Sequence, residues 1–344
     1  MRVLQAIAGA EMGGAEAYFV RLVLALARAG LEQRVVMRRD ARRAAALGAG
    51  GIAPVELAFG GYFDISTRHA FAREIDSFRP DLVLTWMGRA TLHCPERTPA
   101  RRFVHAARLG GYYDLAYYRR CNHLVGNTRD IVAYCIAQGW PRNRVHYLPN
   151  FVDVAPTPPV ARETCATPGG VPIVLALGRL HENKAFDVLI RAMVRLPGVF
   201  LWLAGEGPRE RKLRDLARSL GVADRVRFLG WRDDVAALLA AADVLACPSR
   251  IEPLGNVIIE AWAHGKPVVA AAAAGPRALI EPERSGLLVP VGDEAALADA
   301  IGRVLADRTL ATRLVEGGRA AHEREFTETA VVARYLEFFR EVAG

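Results

Sequence analysis

Four charged side chains in the second half of the chain are spaced so that they can work together. They are Arg179 and Lys184, five positions apart, and Glu252 and Glu260, eight apart. The cations fall in Gly178-Arg179-Leu180-His181-Glu182-Asn183-Lys184-Ala185, between an apolar run ending at Leu177 and a helical pattern from Phe186. Two fixed cations at a strand's carboxyl end can clamp a diphosphate and offset the charge that develops on it. Glu252 lies in Pro248-Ser249-Arg250-Ile251-Glu252-Pro253-Leu254-Gly255, just before a second helical pattern, and Glu260 lies inside that pattern. At ~1.5 Å of rise per residue, the two carboxylates can span a sugar plus a diphosphate, with hydroxyls at each end. Between them Gly255, Asn256 and Val257 open the helix and present free N–H groups, a phosphate site. The first half carries a weaker feature of the same kind. Gly13 and Gly14 precede a helix, where paired glycines let backbone N–H groups approach an anion.

What is missing narrows the chemistry. The loop around Gly13 does not spell G-x-G-x-x-G, and no G-x-x-x-x-G-K-[ST] occurs, so neither a nicotinamide dinucleotide fold nor a P-loop is supported. No D-x-D occurs either, a pattern whose paired carboxylates can hold a divalent ion on a diphosphate. No metal site and no cofactor are therefore expected. The five cysteines, at 94, 121, 135, 165 and 247, form no C-x-x-C pair and read as free thiols in a reducing compartment.

These residues need elements to position them. In the first half, strands are expected at Val3–Ala8, Arg34–Met37, Asp81–Thr85, Phe103–Ala106 and Leu124–Gly126, with helices at Ala15–Ala29 and Asp130–Gln138. The second half alternates in the same way. Strands are expected at Ile173–Leu177, Phe200–Ala204, Val226–Leu229, Val244–Cys247, Val268–Ala271 and Leu287–Val289. Helices are expected at Phe186–Leu196, Glu210–Leu220, Val235–Ala241, Asn256–Ala263, Glu294–Ala306 and Ala330–Val342. Near-continuous apolar strands separated by helices imply parallel sheets covered on both faces. Six prolines between Pro149 and Pro172 read as an interdomain linker. The reading is an α/β protein with a first domain at 1–153, a linker at 154–172 and a second domain at 173–325. A terminal helix from about 326 to 344 packs back on the first domain. In open α/β sheets ligands bind beyond the strands' carboxyl ends, so function is expected in the loops there.

The ordered set of segments in the second half resembles the retaining glycosyltransferases of the GT4 type. Glu252 to Glu260 is their E-x7-E pattern. Gly178-Arg179, Lys184, Gly205-Glu206-Gly207, Phe228-Leu229-Gly230, Ala242-Asp243-Val244 and Gly286-Leu287-Leu288-Val289-Pro290 follow in the family's order. The resemblance covers about residues 173–300, and reaches the first half more loosely through Gly13-Gly14 and His105. It implies the GT-B fold, two Rossmann-like doubly wound domains facing a cleft. It also implies roles. Arg179 and Lys184 would hold the donor diphosphate as leaving group, Glu252 would accept hydrogen bonds from the donor sugar, and Glu260 would bind the ribose. Gly178, Glu206, Gly255, Asn256 and Val257 would line the donor site, and the loop from Gly230 to Asp234, with Arg232, would lie beside the base. Gly13 and Gly14 would pack against the donor, and His105 would contact the transferred sugar or the acceptor. Two positions depart from the family pattern: Ala185 stands where glycine often follows the lysine, and Ala278 where a glutamate often follows Gly275-Pro276-Arg277.

The expected reaction is transfer of a sugar from a UDP- or GDP-sugar to a glycan or lipid-linked acceptor, with attack on the face the nucleotide leaves. The departing phosphate oxygen takes the proton, and no protein nucleophile is required. A nucleotide-sugar epimerase and a non-catalytic nucleotide-sugar binding protein are the alternatives. The acceptor expectation, a cell-surface polysaccharide or lipopolysaccharide, leans on charge. Residues 1–150 hold 21 Lys+Arg against 12 Asp+Glu, whereas the remainder holds 24 against 25. Arg38, Arg39, Arg42 and Arg43 form one basic cluster and Arg97, Arg101, Arg102 and Arg108 another, near Tyr112, Tyr113, Tyr117 and Tyr118. A basic face can meet an anionic membrane or acceptor. Arginine outnumbers lysine 42 to 3, so genome composition explains part of this excess, and nucleic acid is not expected as a partner. No signal segment and no membrane span is read, so the expected location is cytoplasmic, peripheral at the inner membrane face.

Overall fold

The computed structural model describes residues 1–344 apart from 11, 12, 62, 63, 153, 155 and 156. Part of the Gly13 loop and Pro156 of the proline-rich stretch thus lie outside the described residues. The chain divides into two units, one of residues 1–150 with 328–344 and one of residues 151–327.

The first unit starts with β1 (Arg2–Ile7), α1 (Gly14–Arg28), β2 (Glu32–Arg38), α2 (Ala41–Ala49), β3 (Val55–Leu57) and α3 (Ile65–Phe78). It continues with β4 (Leu82–Trp86), α4 (Met87–His93), β5 (Val104–Leu109), β6 (His123–Gly126), α5 (Arg129–Ala137) and β7 (Val145–Tyr147). Among the described residues the strands form one sheet in the order β3-β2-β1-β4-β5-β6-β7, parallel throughout. The order reverses direction between β1 and β4, the switch point of a doubly wound sheet. Buried Val, Leu and Ala along β1, β4 and β5 give the apolar runs that a sheet covered on both faces requires. Asp40, Asp64 and Thr128 cap α2, α3 and α5 by accepting hydrogen bonds from Arg43, Thr67 and Ile131 N–H groups at 2.8, 2.9 and 2.9 Å.

The second unit repeats the plan. It runs β8 (Ile173–Leu177), α6 (Phe186–Ala192), β9 (Phe200–Ala204), α7 (Glu210–Ser219), β10 (Val226–Gly230), α8 (Val235–Ala241) and β11 (Val244–Cys247). Then come α9 (Asn256–Ala263), β12 (Val268–Ala271), α10 (Ala274–Leu279), β13 (Leu287–Val289), α11 (Glu294–Ala306) and α12 (Arg308–Glu325). The sheet order among the described residues is β10-β9-β8-β11-β12-β13, with its switch point between β8 and β11. The last helix, α13 (Glu328–Ala343), belongs to the first unit. Its Tyr335 hydroxyl accepts a hydrogen bond from Arg108 Nε at 2.9 Å, and its Phe338 ring lies 4.6 Å from His146.

The proline-rich stretch counts with the second unit instead of standing apart as a tether. Cys165 is buried in that unit's core, Val160 N–H donates to Ala237 O at 3.1 Å, and Trp202 Nε1 donates to Thr167 Oγ1 at 2.8 Å. The Arg162 guanidinium donates to the carbonyls of Val171 and Ala241 at 2.6 and 3.1 Å. Proline there removes backbone donors but leaves side chains free to dock, which composition alone does not reveal.

Candidate active site

The second unit brings the two charged segments together at its switch point. Lys184 follows β8 and Glu252 follows β11, the two strands on which the sheet order turns. Lys184 Nζ lies 2.5 Å from Glu252 Oε2. Glu252 is buried, and its carboxylate also accepts hydrogen bonds from Ser249 Oγ at 3.1 Å and Gly255 N–H at 3.3 Å. Burial acts against the Lys184 ammonium, but the facing carboxylate outweighs it and holds the pKa above the ordinary lysine value. Behind the pair, burial pushes the Cys247 thiol up to about 11, with the Glu252 charge adding to the effect, so this thiol stays protonated and inert.

The loops carrying the pair are locked to each other. Arg250 makes a two-pronged contact with the Asp187 carboxylate at 2.9 and 2.7 Å, and donates to Glu182 O at 3.1 Å. Arg250 and Ile251 N–H groups both donate to Asn183 O, at 2.8 and 3.2 Å. Glycines allow the remaining closeness. Gly205 has φ 142°, and a Cβ there would fall 2.0 Å from Gly178 O. A Cβ on Gly275 would fall 2.5 Å from Glu252 O, the atom that accepts the Gly275 N–H. Only glycine fits either place. Ala185 retains the left-handed turn with φ 52°, so the departure from glycine changes strain and leaves the path of the chain intact.

The other second-unit residues fall around this pair. Gly178, in the left-handed region at φ 139°, turns the chain out of β8. Arg179 is exposed; its carbonyl accepts the His181 N–H at 2.7 Å, and its side chain makes no hydrogen bond or ion pair with a described residue. Gly255, at φ 84°, caps α9, and Asn256 and Val257 are its first residues. Glu260 lies inside α9, half-buried and partnered. Glu206 is exposed after β9 and accepts a hydrogen bond from Trp231 N–H at 3.3 Å. Arg232 is held by Asp234 at 2.7 and 2.5 Å, so this cation is already paired. Sequence reasoning missed Ser249 and Asp187, named the loop that carries the exposed Trp231 without singling out its ring, and gave Arg250 and Gly275 no role. Asp187 and Arg250 are 63 residues apart, and no local pattern links them. Among the described residues no group of three or more His, Cys, Asp and Glu side chains is placed to hold a metal ion.

The first unit requires two corrections. His105 was expected at a strand's end facing ligand. It is the second residue of β5, at the amino end of the sheet and away from the ligand-binding edge, because the strand runs on to Leu109. It is buried, with Nε2 3.0 Å from Thr85 Oγ1, and burial drives its pKa down to about 3, with Arg97 adding to the effect. It is a neutral core histidine. The basic clusters are the second correction. Arg108 is 2% exposed, packed on the rings of Trp86 and Tyr18 at 4.4 and 4.8 Å and bonded to Asn150 and Tyr335. Arg43 is also buried, donating to Ala10 O at 2.6 Å, and Arg101 is paired with Asp76 at 2.6 Å. Three of these eight arginines are therefore internal or neutralised. The Gly13-Gly14 turn lies beside an acidic side chain. The Glu16 carboxylate occupies the space where a Cβ on Gly9 or Gly13 would lie, at 2.3 and 2.2 Å, and accepts the Ala10 N–H at 2.8 Å.

The geometry can be set beside known proteins. The sequence model described as "Glycosyl transferases group 1" matches residues 171–307, and that of "Glycosyltransferase Family 4" matches residues 12–156. The chain is 38% identical over 332 residues to the lipopolysaccharide core biosynthesis glycosyltransferase LpsE of Rhizobium meliloti strain 1021, covering 94% of this chain and 95% of that one. It is 37% identical over 346 residues to LpsD of the same organism, covering 98% of each. Among solved structures, Anabaena Alr3699/HepE in complex with UDP and glucose superposes with a TM-score of 0.86 at 21% identity, covering 99% of this chain and 100% of that one. The fold is that of the GT-B glycosyltransferases. Within that class, the chain belongs to the group 1, GT4-type glycosyltransferase family.

Proposed function

We propose that the chain transfers a sugar from a nucleoside diphosphate sugar to a glycan acceptor of the cell surface, with lipopolysaccharide core as the first candidate. The observation that carries the donor half is the Lys184–Glu252 pair, fixed at the switch point beside the amino end of α9. A diphosphate entering there is drawn by Lys184, the exposed Arg179 and the first N–H groups of α9. As it takes Lys184, it frees Glu252 to accept hydrogen bonds from sugar hydroxyls. Glu260, inside α9, binds the ribose hydroxyls in this reading, and Trp231 offers a ring face to the base. Transfer breaks the bond from the anomeric carbon to the phosphate oxygen and forms one to the acceptor oxygen. The acceptor proton passes to the departing phosphate, and the anomeric configuration is retained. Two cations and a helix terminus supply the charge stabilisation that a metal would otherwise provide.

UDP is the favoured nucleotide, because HepE has been solved with UDP and with UDP-glucose; GDP is the second choice. LpsE and LpsD supply the support for a lipopolysaccharide acceptor. A donor drawn from cytosolic nucleotide sugars supports a location at the cytoplasmic face of the membrane. Among the described residues no helix is long and apolar enough to cross a membrane. The test is thermal stabilisation by UDP, GDP, ADP and CMP, each with EDTA and with Mg2+, followed by donor turnover. One nucleotide should stabilise the protein equally with and without EDTA. A shift that requires Mg2+, or none, would overturn the metal-free donor site.

A further inference from the structure

The Glu252 carboxylate is buried, and among the described residues three donors reach it. Lys184 Nζ at 2.5 Å and Ser249 Oγ at 3.1 Å share one oxygen, Oε2. The Gly255 N–H meets the other, Oε1, at 3.3 Å. Ser249 stands two residues beyond the end of β11 and is 2% exposed, so solvent does not stand in for its hydroxyl. Its backbone is held from both sides, by the strand before it and by Arg250, whose N–H donates to Asn183 O.

Chemistry fixes the direction of each hydrogen bond. An ionised carboxylate only accepts, so the Ser249 hydroxyl gives its one proton to Glu252. The Ser249 oxygen in turn lies 3.7 Å from Cys247 Sγ, and that buried, protonated thiol donates to it. The chain therefore runs one way, from thiol to hydroxyl to carboxylate, and each link polarises the next. In the free protein this chain is secondary, because the Lys184 ammonium already neutralises Oε2.

A diphosphate that draws Lys184 away changes that balance. A buried charge stripped of its partner is strongly unfavourable. The last torsion of a carboxylate also lies in a broad well, so its hydrogen bonds, and not its rotamer, set its plane. Once the ammonium leaves, Oε2 keeps Ser249 alone, and the longer Gly255 contact touches only Oε1. We infer that Ser249 is a positioning residue of the donor site, whose hydroxyl keeps the Glu252 carboxylate charged and in one orientation after the diphosphate has taken Lys184. The inference rests on the reading of Lys184 and Glu252 given above. Ser249 acts through Glu252, so its hydroxyl matters more in the complex than in the free protein.

The test is calorimetric titration of the full chain with UDP and with GDP, beside melting curves taken without nucleotide. Ser249→Ala should weaken whichever nucleotide the wild type binds by about 10-fold, the loss of a hydrogen bond to a charged group. Ser249→Thr keeps the hydroxyl and should recover most of the affinity. Ser249→Cys keeps the size but donates weakly, and should behave as Ser249→Ala does. Glu252→Gln removes the charge that is left behind. In that background Ser249→Ala should change affinity by no more than about 2-fold, a coupling that the double-mutant cycle reads directly. Should Ser249→Ala fail to fold, Ser249→Cys takes its place in each comparison. Unchanged affinity in the folded variant, or an equal loss in both backgrounds, assigns Ser249 to local packing and overturns the inference alone. A lower melting point with unweakened binding does the same. A wild type that binds neither nucleotide overturns the donor-site reading, and the inference falls with it.

Discussion

The two units share a sheet plan but furnish its carboxyl edge in opposite ways. In the second unit the loops around the switch point are charged, and Lys184 is matched with Glu252 and Arg250 with Asp187, while Arg179 stays exposed. In the first unit the corresponding edge holds a cavity lined mainly by glycines and tyrosines, with Arg89 and Asp114 among them. A diphosphate brings charge, so a site for it can be assembled in advance as an ion pair that the ligand then divides.

The largest expected effect breaks the charged side of that contrast. Lys184→Ala should lower donor turnover by at least ~10²-fold, the usual loss when one preorganised contact to developing charge is removed. Glu252→Ala should cost a similar factor. A folded variant of either kind that turns over at the wild-type rate would take that residue out of the site. A smaller effect tests whether the interlock matters. Arg250→Ala leaves Lys184 and Glu252 in place but frees their loops, and kcat should fall about 10-fold, because small misplacements of reacting groups are costly. Reversal of the pair, Asp187→Arg with Arg250→Asp, should recover part of that loss. A double variant no better than Arg250→Ala would assign the pair to folding alone. The Asp187 carboxyl is held below its ordinary value mainly by its hydrogen bonds to Arg250, with burial opposing. Its stabilisation is therefore complete above the unfolded value near 3.8 and disappears as pH falls through the lower folded value. Melting curves of Asp187→Asn should be less sensitive to acid in that window.

What was legible in the sequence follows from how local each signal is. The apolar runs of β8, β9 and β11 and their glycine loops state the second sheet and its ligand edge in consecutive residues. Elements that break local rules were hidden. β3 is three residues at the sheet's edge, too short to show a pattern. α12 carries Gly317 and Gly318, which read as breakers. They are required because a Cβ at Gly318 would fall 2.3 Å from the Trp262 ring and one at Gly317 2.1 Å from Arg284 O. In the site, residue type pointed to Lys184 and Glu252, but nothing local pairs Arg250 with Asp187. That pairing depends on the sheet order.

His105 sharpens the comparison from the other end of the first sheet. The sequence pattern stops β5 at Ala106, whereas the strand continues to Leu109, and that difference moves the histidine from the ligand edge to the opposite one. His105→Gln should therefore leave kcat within a few-fold while lowering stability at neutral pH by about 1–3 kcal/mol, through disturbed buried hydrogen bonding. The pH dependence identifies the cause. A histidine kept neutral in the fold, with pKa about 3, favours unfolding once the unfolded chain can take a proton, below about 6.5. Wild-type stability should fall between those limits, and His105→Gln should flatten that fall. A large loss of kcat with an unchanged acid limb would return His105 to the reaction.

The smallest effect concerns the turn between the charged loop and α6. Ala185 takes a left-handed conformation that costs an alanine roughly 1–2 kcal/mol relative to glycine. Glycine would relieve the strain, but Ala185 is fully buried, and Ala185→Gly also removes a packed methyl and adds about 0.4–1 kcal/mol of unfolded-state entropy. The terms nearly cancel, so the melting midpoint should move by the equivalent of no more than about 1 kcal/mol. Donor affinity should hold as well, because Lys184 and Glu252 stay locked through Arg250 and Asn183. A large gain in donor affinity would mean that the turn at 185, and not the interlock, sets how readily the ion pair opens.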